Sequence, residues 1–260
     1  MNTHKEIKGT TLPAIVAALL FLSNGADVPA QSPPVIMVGA FSTEETIDTL
    51  PAHWEPLHFR EIERHTSYRL VEENGNVVVK ASADSSASGL IRKIKIDPRE
   101  YPIIQWHWKI VNILKEGNVH RKDGDDYPAR IYVVFEYDPE KLGFFEKAKY
   151  EIARVLYGEY PPLAALNYIW TTNEPVGSII PNPYSGRAMM VVVESGETKL
   201  NEWINEERNL YEDYRIAFND EPPMISGVAI MTDTDNTGES AMAFYGDILF
   251  RKAAYTLSTP

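Results

Sequence analysis

Short apolar runs, each closed by turn residues, recur at close spacing from residue 35 to residue 250, and a chain built this way has to pair strands. Ile103 to Val111 shows the pattern best: Ile104, Trp106, Trp108 and Ile110 fall on one face, and Gln105, His107 and Lys109 on the other. Flanked by two isoleucines, the two tryptophans read as core, with a sugar-stacking platform as the alternative. Gly89 to Ile96 alternates in the same way, Leu90, Ile94 and Ile96 against Lys93 and Lys95. Further strands are expected over Val35–Phe41, Leu57–Ile62, Tyr68–Val71, Asn76–Ser82 and Leu166–Thr171. Ile131–Tyr137 and Ala188–Glu194 are apolar on both faces and so belong in the middle of a sheet. Glu73-Asn74-Gly75-Asn76 is a hairpin turn, because Asn-Gly accepts two positive φ angles.

Two stretches change period. Leu142, Phe145, Ala148, Ile152, Val155 and Leu156 recur at three and four, which predicts a helix over about 140–157, stopped by Gly158 and Pro161-Pro162. Leu200, Trp203, Ile204, Tyr211, Tyr214 and Phe218 predict a second over about 198–218. Thr172–Arg187, rich in Pro, Asn and Gly, reads as loop. Many strands with two helical excursions make a β-sandwich, not a βαβ array.

The chain begins with Lys5 and Lys8, an apolar run from Leu12 to Leu22 broken by Pro13, and a small-residue stretch ending Val28-Pro29-Ala30. That is the layout of an export signal, and cleavage is expected after Ala30. Residues 31–260 would then be a single β-sandwich domain, periplasmic or secreted. The run is too short to span a bilayer, and no later segment is long enough, so no membrane span is expected after signal removal. Loss of residues 1–30 removes two lysines with Glu6 and Asp27, which leaves the net charge of −12 unchanged. A chain this acidic, without a basic cluster, lacks the footprint for nucleic acid. With no cysteine, thiolate chemistry and disulfides are excluded.

Chemistry concentrates in two acidic loops. Gly227–Thr232 and Ala241–Phe250 read as strands joined by Asp233-Thr234-Asp235-Asn236-Thr237-Gly238. Such side chains satisfy their own backbone in a hairpin turn, or Asp233, Asp235 and Asn236 supply hard oxygens to a Ca²⁺ ion. The spacing is not that of an EF-hand. The second loop, Arg121 to Arg130, carries Asp123, Asp125 and Asp126, which repel one another unless a cation, Arg121 or Arg130 compensates. The candidate ligand-binding set is Asp125, Asp126, Arg130, Tyr168, Trp170, Asp233, Asp235 and Asn236. If the protein is instead an enzyme, a carboxylate pair is drawn from Asp126, Glu136 and Asp233, with Asp125, Asp235, His107, Tyr127 and Arg130 in support. There is no Gly-x-Ser-x-Gly elbow and no His-Glu-x-x-His helix.

Several further motifs complete the pattern: Ser88-Gly89-Leu90, Trp106-His107-Trp108-Lys109, Asp125-Asp126-Tyr127-Pro128-Ala129-Arg130, Leu166-Asn167-Tyr168-Ile169-Trp170, Glu207-Arg208-Asn209 with Asp213-Tyr214, and Met231 to Thr237. In this order, over about residues 35–252, they resemble the bacterial DUF3047 family. The resemblance implies a jelly-roll-like antiparallel sandwich akin to carbohydrate-binding domains, and no catalytic residues. The expected function is recognition of a glycan or similar polar small molecule, with Ca²⁺ as the one cofactor the loops suggest. The alternatives are a glycan hydrolase or lyase using a carboxylate pair, and an envelope structural or protein-interaction module. If the acidic loops form the binding site, Asp126→Ala and Asp233→Ala should each abolish binding with little loss of stability.

Overall fold

The computed structural model describes Met1 and residues 34–136 and 164–253; the expected export signal and the helix over 140–157 lie outside these residues. The strands are β1 (Val35–Gly39), β2 (Glu55–Leu57), β3 (Ser67–Glu73), β4 (Asn76–Asp84), β5 (Ala87–Ile96), β6 (Ile103–Ile110), β7 (Ala129–Phe135), β8 (Ala165–Thr171), β9 (Ile179–Asn182), β10 (Ser185–Ser195), β11 (Ile204–Asn209), β12 (Ile225–Asp233) and β13 (Ser240–Arg251), with one helix, α1 (Leu210–Phe218).

They form two sheets. The first runs β11-β6-β13-β4-β3, with β1 beside the far half of β13; the second runs β2-β5-β12-β7-β8-β10-β9. The mainly β, jelly-roll-like sandwich is therefore present, with β8 and β10 as a parallel pair in an otherwise antiparallel framework. The β3–β4 hairpin turns at Asn74 and Gly75, both at positive φ (52° and 82°), as Asn-Gly requires.

Period-two alternation decides what the sandwich encloses. From β6 come Ile104, Trp106, Trp108 and Ile110, from β7 Ala129, Ile131, Val133 and Phe135, and from β8 Leu166, Tyr168 and Trp170. Rings meet across the gap, Trp106 against Tyr168 at 5.1 Å and Trp108 against Trp170 at 6.1 Å. The tryptophan pair is core.

Four expectations are corrected. Leu57–Ile62 is not a strand, since β2 ends at Leu57 and no strand covers 58–62. The helix over 198–218 is half strand: Ile204–Asn209 alternates half-buried and exposed residues and pairs with β6, and only Leu210–Phe218 is helical. The break is at Asn209, whose side chain accepts from the Glu212 N–H (3.2 Å) and caps the helix. Thr172–Arg187 is not all loop, since β9 and the start of β10 lie within it. Finally, β12 and β13 are not a hairpin. They lie in different sheets, so Thr234–Glu239 carries the chain from one layer of the sandwich to the other.

Candidate ligand-binding cleft

If Ala129, Ile131 and Val133 of β7 point inward, then Arg130 and Tyr132 point to the outer face of the second sheet. The same alternation brings Asn167 of β8, Ala188 of β10, Met231 and Asp233 of β12 and Ala87 of β5 to that face. Here the outer face floors a cleft of about 770 Å³. One wall is the segment His58–Ile62, and the other is built from Asp125, Asn182, Tyr184, Asp235 and Asn236.

The two acidic loops meet at this cleft. Asp126 is buried and holds the opposite loop by its backbone: Oδ2 accepts from Thr237 N–H (2.7 Å), and Oδ1 from the Asn236 side-chain amide (3.0 Å) and Asn236 N–H (3.4 Å). Asp125 accepts from the Tyr127 hydroxyl (3.0 Å) and from the Asn182 amide (2.9 Å). The Tyr184 hydroxyl lies 2.9 Å from Asn236 Oδ1. Asp233 is paired with Arg130 and also accepts from Tyr127 N–H (3.4 Å). Arg121, not Arg130, pairs with Asp123, at 3.1 Å.

Around Arg130 stand Asp125, Asp126, Asp233 and Asp235, and with Arg60 and Glu61 on the facing wall the carboxylates still outnumber the guanidiniums. Burial, reinforced by Asp126 and Asp125, pushes the Asp233 carboxyl above its ordinary value although Arg130 pulls it down. Burial and the facing Asp126 likewise raise Asp235. Asp126, Asp233 and Asp235 each offer an oxygen, all within 4.8 Å of one another, a span that fits a hard divalent cation. Asn236 is turned to Asp126 and Tyr184, so Asp126 takes its place in the expected metal set.

Some polar atoms of the floor have no partner. Asn167 is completely buried, and its Oδ1 meets no hydrogen-bond donor among the described residues; its amide nitrogen reaches only the Met190 sulfur, at 3.3 Å. Nε and Nη1 of Arg130 likewise find no acceptor among these residues. The guanidinium lies between the rings of Tyr127 and Tyr132, 5.0 and 5.2 Å from their centroids. Leaving such groups dry and unbonded costs about 1–3 kcal/mol each.

Of the candidates, Asp125, Asp126, Arg130, Asp233, Asp235 and Asn236 converge here. Tyr168 and Trp170 do not: both are 0% exposed, on the inner face of β8, where a ligand has no access. Glu136 is also elsewhere, following the far end of β7 and paired with Lys95 at 2.6 Å. Six residues of strand put it about 20 Å from Arg130. Asn167, Tyr132, Tyr184, Asn182 and His58 were not anticipated. Asn167 had a legible signal, as the one polar residue within the run Leu166–Trp170, on the face opposite its aromatic neighbours.

The DUF3047 family profile, described as a protein of unknown function, matches residues 52–249. The chain belongs to this family. No curated protein matches this DUF3047 chain in sequence. Among solved structures it is similar to the family 30 carbohydrate-binding module of the cellulosomal cellulase Cel9D-Cel44B of Clostridium thermocellum (8% identity, TM-score 0.39, 85% of this chain and 99% of that one). It is also similar to the carbohydrate recognition domain of Emp47p (11% identity, TM-score 0.38, 84% of this chain and 95% of that one). A likeness of this degree concerns the path of the chain and not the side chains of the cleft.

Proposed function

We propose that this DUF3047 protein is an exported, periplasmic or secreted binding protein whose outer-sheet cleft takes a carbohydrate or a similarly hydroxyl-rich ligand. The observation that carries this reading is the cleft itself, whose lining sets Asp125, Asp235, Asn182 and Tyr184 beside exposed ring surface, over a floor that holds the unpartnered Asn167 Oδ1 and Arg130 Nε and Nη1. A hydroxyl group both gives and accepts a hydrogen bond, so a polyol satisfies both kinds of group. Tyr132, Tyr184, Phe59 and His58 add the ring surface against which sugar C–H faces pack.

The carboxylate-pair enzyme has less support. Asp126 is engaged in holding the 236–237 segment, Asp233 is held by Arg130, and Glu136 is remote. The Ca²⁺ ion is the finer part of the proposal, at Asp126, Asp233 and Asp235. A thermal melt with EDTA and then with added Ca²⁺ tests it, because an ion bound only by the folded state raises the midpoint. A midpoint unmoved by either addition removes the ion from the proposal.

The ligand itself is tested by screening a glycan array and measuring each hit by calorimetry on the wild type and on Asn167→Leu and Tyr132→Ala. Binding that both substitutions weaken about tenfold or more, with each variant still unfolding cooperatively, supports the cleft. Absence of any hit, or hits that neither substitution touches, overturns it.

A further inference from the structure

The outer face of the first sheet carries a second, separate arrangement. In β13 the register with β6 shifts between Tyr245, opposite Trp108, and Ile248, opposite Trp106. Gly246 and Asp247 therefore stand together against His107. This is a β-bulge, the device by which a strand re-aims one side chain. It brings the Asp247 side chain to the face on which His107 lies. The side chain at 246 has to be absent, since a Cβ there would sit 1.9 Å from His107 Nε2. The imidazole rests on bare backbone.

Asp247 is fixed in advance. Its Oδ1 accepts from Ser42 N–H at 2.9 Å and its Oδ2 from the Ser42 hydroxyl at 2.5 Å. Beside it lies a cavity of about 420 Å³ lined also by His107, Asn205, Glu207 and Gln105. Trp203 packs on His107, ring centroids 5.2 Å apart. Glu207 is already paired with Arg251 at 2.8 Å, whereas Asp247 has no cationic partner among the described residues; burial pushes the His107 imidazole toward its neutral form, against the pull of Asp247. The nearby ammonium of Lys109 is already paired with Glu73, and it lies 4.4 Å from the Phe244 ring and 5.4 Å from that of Trp203. The chain itself thus demonstrates that these rings accommodate an ammonium. A metal is not indicated: among the described residues the carboxylates that converge on one point are Asp126, Asp233 and Asp235, on the other sheet.

We propose that this cavity is a second ligand site, taking a protonated primary amine with Asp247 as counter-charge and His107 as hydrogen-bond acceptor. The neutral imidazole has one acceptor nitrogen to offer and Asp247 keeps unused lone pairs.

The test follows His107 and Trp203 side-chain resonances of the full-length protein during titration with glucosamine and, separately, with N-acetylglucosamine, which has the same ring but no charge on its nitrogen. Glucosamine should shift both side chains, and N-acetylglucosamine should bind about tenfold more weakly or not at all. Asp247→Asn, which keeps an acceptor for Ser42, should weaken glucosamine about tenfold without lowering the melting temperature. If that variant does not fold, Ser42→Ala should weaken binding several-fold by freeing the Asp247 rotamer. Asn167→Leu, in the other cleft, should leave the glucosamine-induced shifts of His107 and Trp203 as they are in the wild type. Equal responses to the two sugars, a response that survives loss of the Asp247 charge, or no response to glucosamine overturns the proposal.

Discussion

Arg130 on β7 and Asp233 at the end of β12 form an ion pair that is 4% and 1% exposed, and this pair fixes the register at which the two acidic loops meet. Removing one partner leaves the other charged and dry. Arg130→Ala should therefore cost about 3–5 kcal/mol in urea unfolding, whereas Arg130→Met combined with Asp233→Leu should cost less than either single change. Additive losses in the double mutant would mean that the two side chains act independently.

Asp126 supports three donors of the 236–237 segment, so Asp126→Ala should lower stability as well as binding. A loss of about 1.5–3 kcal/mol is expected for hydrogen bonds to a charged group. This replaces the expectation, drawn from the loop sequence, that the substitution spares stability. An unchanged urea midpoint would return Asp126 to a purely ligand-facing role.

Asn167→Leu removes an acceptor that the fold does not satisfy. The variant should melt higher than wild type while losing affinity for any ligand of the cleft, the opposition expected where a site is kept at the expense of stability. A lower melting temperature would show that Asn167 is bonded in the folded protein.

Glu206 on β11 is held up to about 7, by burial and by Glu194, against Trp108, Lys199 and Arg208. Its folded value lies above the ordinary 4.5, so the folded state binds the proton more tightly. Stability is complete below about pH 4.5 and is lost as pH rises through about 7. Glu206→Gln should leave the melting temperature unchanged at pH 4, raise it at pH 8, and flatten the slope between them. A parallel shift at all pH values would exclude titration of Glu206 as the cause.

Gly246→Ala pushes a methyl group into the space of the His107 ring and should cost about 1–3 kcal/mol, part of which His107→Ala should restore. No recovery in the double mutant would place the strain in the backbone of the bulge instead.

Strands such as β5 and β6 were legible because each carries its own alternation, and the Asn74-Gly75 turn because its dipeptide leaves little choice. The fate of Ile204–Asn209 was not. Ile204 fits a helical stripe and an alternating strand equally well, and pairing with β6, a contact across about a hundred residues, decided between them. For the same reason Tyr168 and Trp170 were placed on a ligand surface: the sequence shows that they share a face, not which sheet covers it. Asp125, Asp126, Arg130, Asp233, Asp235 and Asn236 could be grouped from the sequence because opposed charges and turn chemistry are local properties, and the fold brings them together. Asn167 and Tyr132, which join them in the cleft, come from strands, and only the pairing of β7 with β8 and β12 brings them to the loops.

The position of β13 bears on how the molecule assembles in time. It is the last described strand, yet it pairs with β1, β4 and β6 and so sits at the middle of its sheet. Until Ser240–Arg251 has been synthesised, β6 and β4 have no common neighbour, and the aromatic layer of Trp106 and Trp108 has no finished wall. A ribosome-bound chain of this sequence stays open until β13 emerges, and closure of the sandwich is then a long-range event.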